Sequence, residues 1–77
     1  MADRDDEQTE FTLTLVKVGD NKISVLKAVM QIKGLGKMEA KDLIESAPVD
    51  VLKGVPEAEA RRGQALLEKA GAWTQVS

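Results

Sequence analysis

From residue 10 the chain alternates. Phe11, Leu13 and Leu15 fall on one side, and Thr12, Thr14, Val16 and Val18 on the other. This is the period-two pattern of a strand with one buried face. Gly19-Asp20-Asn21 reads as a turn, and Asp20 or Asn21 can cap the helix that follows. That first helix is expected over residues 22–33. At about 100° per residue, Ser24, Lys27 and Gln31 form a narrow polar face, while Ile23, Val25, Leu26, Ala28, Val29, Met30 and Ile32 cover most of the rest. A helix lying on one sheet buries less apolar surface than this. Either a second helix covers the excess, or some of it is exposed for a partner.

Gly34-Leu35-Gly36 breaks the helix, the first glycine as a left-handed cap and the second as a residue of free φ. A second helix over residues 37–46 places Ala40, Leu43, Ile44 and Ala47 at i, i+3, i+4 and i+7, and Pro48 ends it. Residues 49–55 read as a short strand. Pro56 suits the first position of a third helix, with Glu57 and Glu59 near its positive end. Ala60, Gly63, Leu67 and Ala70 form its inner stripe, Gly71 stops it, and residues 72–76 form a last strand. The order β-α-α-β-α-β predicts an α+β fold of two layers, three helices packed on a small three-stranded antiparallel sheet. Residues 1–9, polar, acidic and without an apolar period, read as a disordered leader before a domain over 10–77.

Composition removes several functions. A chain of 77 residues is one domain with a modest core. It contains neither cysteine nor histidine, which takes away the thiolate nucleophile, the near-neutral proton shuttle and the best soft metal ligands. Ser24, Ser46 and the few threonines have no base of suitable type nearby, so no enzyme, cofactor or metal is expected. No charged-then-apolar leader and no apolar run near the ~18 residues of a membrane span is present, which points to the cytoplasm and away from a membrane partner.

The net charge of -2 conceals a segregation. Residues 1–10 carry five acids against Arg4, a net of -4. Residues 11–41 carry Lys17, Lys22, Lys27, Lys33, Lys37 and Lys41 against Asp20 and Glu39, a net of +4, and residues 42–77 return -2. Local fields steer partners even when the total is small, and this stretch favours an acidic one.

Three readings compete for the glycine hairpin. As a phosphate loop it lacks the four-residue spacer and the Lys-Ser/Thr pair, and it follows a helix instead of a strand. Ile32-Lys33-Gly34-Leu35-Gly36-Lys37, then Ala40 and Leu43, resembles a helix-hairpin-helix nucleic-acid motif, whose backbone N–H groups contact phosphate without reading sequence. The acidic total, the single copy and the missing stacking aromatics weigh against it. As a protein-docking surface, Lys22, Lys27, Lys37 and Lys41 frame Ile23, Leu26, Met30 and Leu35, an apolar centre with a charged rim.

A longer pattern carries a resemblance. Thr9-Glu10-Phe11, Gly19, Asn21-Lys22, Val25, Lys27-Ala28-Val29, Gly34-Leu35-Gly36, Glu39-Ala40-Lys41-Asp42-Leu43, Glu45-Ser46-Ala47-Pro48, Gly54-Val55 and Ala70-Gly71-Ala72 closely resemble the C-terminal domain of the bacterial large-subunit ribosomal stalk protein. The likeness covers residues 9–77 without an evident gap. It implies a domain that recruits translational GTPases (elongation and initiation factors) to the ribosome and promotes their GTP hydrolysis, through its first two helices. The matching positions are Lys22, Ile23, Val25, Leu26, Lys27, Gly36, Glu39 and Lys41.

The departures from that family are informative. Met30 stands where an arginine is common, and Met38 where a lysine follows the hairpin, although Lys37 is beside it. Gly63 replaces a leucine, a cost of roughly 1 kcal/mol in helix propensity plus lost packing. Trp73 replaces an acidic residue, and with Val16 and Val18 it should make the open sheet face apolar enough for a weak homodimer. The family's N-terminal dimerisation domain and Ala/Gly-rich hinge have no counterpart in the sequence. The chain is therefore expected to be an excised domain or a free-standing relative, reaching the ribosome only if tethered by another segment or chain. A free-standing adaptor of the same fold with a different protein partner is the main alternative.

Overall fold

The computed structural model describes residues 10–77, and the expected leader lies outside the described residues. Six elements follow in order: β1 (Phe11–Lys17), α1 (Lys22–Lys33), α2 (Lys37–Glu45), β2 (Val49–Val55), α3 (Glu57–Lys69) and β3 (Trp73–Val76). The sheet order is β2-β1-β3, with β1 antiparallel to both neighbours. The three helices pack on this sheet, as the hydrophobic periods predict. Leu13 and Leu15 of the central strand are fully buried, and they meet Val25 and Val29 of α1, Val51 of β2 and Leu67 of α3 in one core cluster. Alternation leaves Thr12, Thr14 and Val16 on the face without helices. There the Thr14 hydroxyl donates to the Asp50 carboxylate at 2.9 Å.

The ends of the elements are set by local chemistry. Asn21, not Asp20, caps α1, its side-chain oxygen accepting the Ser24 N–H at 3.3 Å. Gly34 closes α1 at φ 68 with its N–H donating to the Met30 carbonyl at 2.8 Å, a left-handed cap that disfavours other residues. Gly36 differs from expectation. It sits at φ -73 in extended backbone, so it provides no unusual φ, and the turn depends on Gly34 alone. Pro56 is the residue before α3 and not its first member. Its ψ of 155 is extended, and its carbonyl accepts the N–H groups of Glu59 and Ala60. Its ring-fixed φ suits either position, so the sequence alone does not separate them.

Gly63 lines a hollow of about 190 Å³ with Ile32, Leu52 and Leu66, but the space where its own side chain would stand is filled. A Cβ there would stand 2.7 Å from Leu13 Cδ2 and 3.2 Å from Leu52 Cδ1. The two leucines have taken the space, and α3 lies close on the sheet because this position has no side chain.

Candidate functional site

The apolar excess on α1 resolves in both of the ways open to it. Val25, Ala28 and Val29 are buried, and Leu26, Met30 and Ile32 are half-buried against the core. Ile23 remains 67% exposed. It stands at a groove of about 410 Å³ between α1 and α2, with Lys22 and Leu26 from its own helix and Lys37, Lys41, Ile44 and Glu45 from the next. Ile44 is buried and forms part of the floor. The groove thus has an apolar centre and a rim of three ammonium groups with one carboxylate, Glu45.

The six lysines of residues 11–41 divide by what their ammonium groups do. Lys17 lies 4.8 Å from the centroid of the Trp73 ring, a cation–π contact. Lys33 donates to the Val51 carbonyl at 2.8 Å. Lys22, Lys27, Lys37 and Lys41 are exposed, and among the described residues none of them is ion-paired. These are the same four that the helical pattern frames as a docking rim. Lys27, however, faces away from the other three and lines the opposite flank of α1.

Other expected contact residues take different places. Val25 has no exposed surface, so it holds α1 to the core and drops out of any contact face. Met30 and Leu35 are half-buried and pack against the core. Gly34, Gly36 and Glu39 shape the hairpin, the Glu39 carboxylate accepting the Gly36 N–H at 3.3 Å. Both glycine amides of the hairpin therefore have acceptors already, one of them anionic, which opposes phosphate binding there. Val18 does not join Val16 and Trp73. It follows the strand and packs half-buried against the core, leaving Val16 at 39% and Trp73 at 61% exposure on a face otherwise polar with Thr14, Asp50 and Gln75. That open face is less apolar than the sequence suggests.

Two residues escaped the sequence reading. Met38 is 77% exposed in the first turn of α2, next to Lys37, and the sequence marks it only as a departure from a family pattern. Lys69 of α3 lines the groove that holds Lys27. The clue to it was the apolar circumference of α1, which requires α3 alongside as well as α2. Among the described residues no cluster of three or more acidic side chains is arranged to hold a metal ion, and no helix is long and apolar enough to cross a membrane.

A family model described as the ribosomal protein L7/L12 C-terminal domain matches residues 11–77. The large ribosomal subunit protein bL12 of Cellvibrio japonicus is 54% identical over 71 residues, which is 92% of this chain and 58% of that protein. The bL12 of Paraburkholderia phytofirmans is 51% identical over 70 residues, 91% of this chain and 56% of its own length. That of Beijerinckia indica is 57% identical over 71 residues, 92% and 56% respectively. The chain thus spans little more than half the length of these curated relatives. By name they are proteins of the large ribosomal subunit. With a match from Phe11 to Ser77 and more than half of the aligned positions identical, the chain belongs to the ribosomal protein L7/L12 C-terminal domain family.

Proposed function

We propose that the domain docks translational GTPases, the elongation and initiation factors, through α1 and α2, and so supports their recruitment and GTP hydrolysis on the ribosome in the cytoplasm. The observation that carries this reading is the groove between the two helices, where exposed Ile23 is bordered by Glu45 and by Lys22, Lys37 and Lys41, which have no ion pair among the described residues. Family membership supports it. Exposed lysines accelerate encounter with an acidic surface and select against basic ones. Ile23 and Leu26 then fix the pose by burying apolar area, and Gly34 sets the angle at which the two helices are presented. The domain makes and breaks no bonds, and hydrolysis remains the work of the factor.

The test is a titration of labelled domain with purified elongation factors. Wild type should bind in a salt-sensitive manner, and Lys41→Glu and Lys27→Glu should weaken binding. No detectable binding, or indifference to charge reversal, overturns the reading. A parallel titration with duplex DNA should show none of the salt-dependent binding that a hairpin phosphate clamp requires.

A further inference from the structure

The groove between α1 and α2 has a counterpart on the other flank of α1. Between α1 and α3 lies a second, shallow groove of about 280 Å³, lined by Ser24, Lys27, Ala28 and Gln31 from α1, by Leu66 and Lys69 from α3, and by Ala70, which caps α3. No acidic side chain lines it. Along α1 there is no aspartate or glutamate at all. On α3, the residues one helical turn before Lys69 are Ala65 and Leu66, so no partner within the helix draws its ammonium away. The neighbouring acid, Glu68, accepts the Thr74 hydroxyl at 3.1 Å. Lys69 is exposed and, among the described residues, has no ion pair.

We propose that the surface presented to an acidic partner continues over α1 onto α3, and that Lys69 is a contact residue opposite Lys27. This rests on the docking reading above and names the shape of its occupant: an acidic amphipathic helix lying along the crest of α1. A helix is about 10–12 Å across with its side chains, wide enough to overhang both grooves. Its apolar stripe meets Ile23 and Leu26. Carboxylates on one flank meet Lys22, Lys37 and Lys41. Those on the other enter the α1/α3 groove, where buried Ala28 and half-buried Ala70 leave room for a side chain. There the Ser24 hydroxyl and the Gln31 amide supply neutral donors beside the two ammonium groups. Acids on only one flank of the partner helix would leave the ammonium groups of the other groove unused, so the two-groove arrangement also selects among acidic partners.

The experiment measures binding of the full chain to a purified translational elongation GTPase at low and moderate salt. Lys41→Glu reports on the first groove, Lys69→Glu on the second, and Lys53→Glu on β2, outside both, controls for net charge. Lys69→Glu should weaken binding roughly five-fold or more at low salt, with a smaller loss at higher salt, while Lys53→Glu stays within about two-fold. Lys69→Gln, which leaves the end of α3 without an added acid, should give a smaller loss in the same direction. In a cycle of Lys27→Ala, Lys69→Ala and the double variant, the two losses should be non-additive, as they are when two groups hold one carboxylate. If wild type binds and Lys41→Glu weakens it while Lys69→Glu matches Lys53→Glu, the contact through α3 is wrong and the docking reading stands. If wild type does not bind, the docking reading fails and takes this inference with it.

Discussion

The ammonium of Lys33 donates to the carbonyl of Val51 at 2.8 Å, joining the last turn of α1 to an edge strand of the sheet. The bond is partly buried and uses a charged donor, so its removal exposes an unsatisfied acceptor beside a lost contact. Lys33→Met should destabilise the domain by about 1 kcal/mol in urea unfolding, and leave factor affinity of the folded protein within about two-fold. Lys37→Met should do the reverse, lowering affinity at unchanged stability. Two lysines four residues apart are thereby assigned to different work.

A second prediction concerns the two loops that meet just beyond the paired ends of β1 and β3. Gly19 sits at φ 85, and a Cβ added there would stand 2.5 Å from the Gly71 carbonyl oxygen. Gly19→Ala combines left-handed strain with a collision against backbone, and should cost about 2 kcal/mol or more. At Gly34, φ 68, no atom lies within 4 Å of the added carbon. Gly34→Ala should cost only about 1 kcal/mol, the conformational part alone. Parallel chemical denaturation of the two variants separates steric from conformational cost.

The pair Ile23 and Val25 provides a third test, because they are two residues apart on one helix and opposite in exposure. Val25→Ala removes fully buried methyl groups and should cost roughly 2 kcal/mol of stability. Ile23→Ser removes a side chain that is 67% exposed and should change stability by under about 0.5 kcal/mol. Its effect belongs to docking: affinity for the elongation factor should fall roughly five-fold or more, the scale of an apolar anchor near the centre of a small interface.

These contrasts show how far the sequence could be read. Element order was legible because each period was unambiguous: the alternation in Phe11–Lys17, the nearly all-round apolar helix Lys22–Lys33, and the one-sided stripe of Ala40, Leu43 and Ile44. The lysine-lined groove followed from the same pattern. What stayed hidden depended on where other elements lie. Lys33 and Lys37 are the same residue type at similar exposure, and only the position of the Val51 carbonyl separates them. Lys69 belongs to the third helix, more than thirty residues beyond the hairpin, and only packing brings it beside Lys27. Val18 continued the strand's alternation on paper, but β1 ends at Lys17 and the chain turns back toward the core. Val25 lay on the family's contact helix, and its burial was decided by the direction from which the sheet approaches.

The stacking of Lys17 over Trp73 has a practical consequence. Trp73 is the only tryptophan and the chain has no tyrosine, so its emission is the domain's sole long-wavelength optical signal. Thr74 turns its hydroxyl to Glu68 on the helical side, and alternation sends the indole to the other. The ring is 61% exposed when folded, so unfolding moves it little further into water but removes the ammonium held above it. Unfolding should therefore change quantum yield more than emission wavelength. Docking on the far layer should leave both unchanged, which makes this indole an internal reference: steady emission during a titration certifies that a lost interaction is not lost structure.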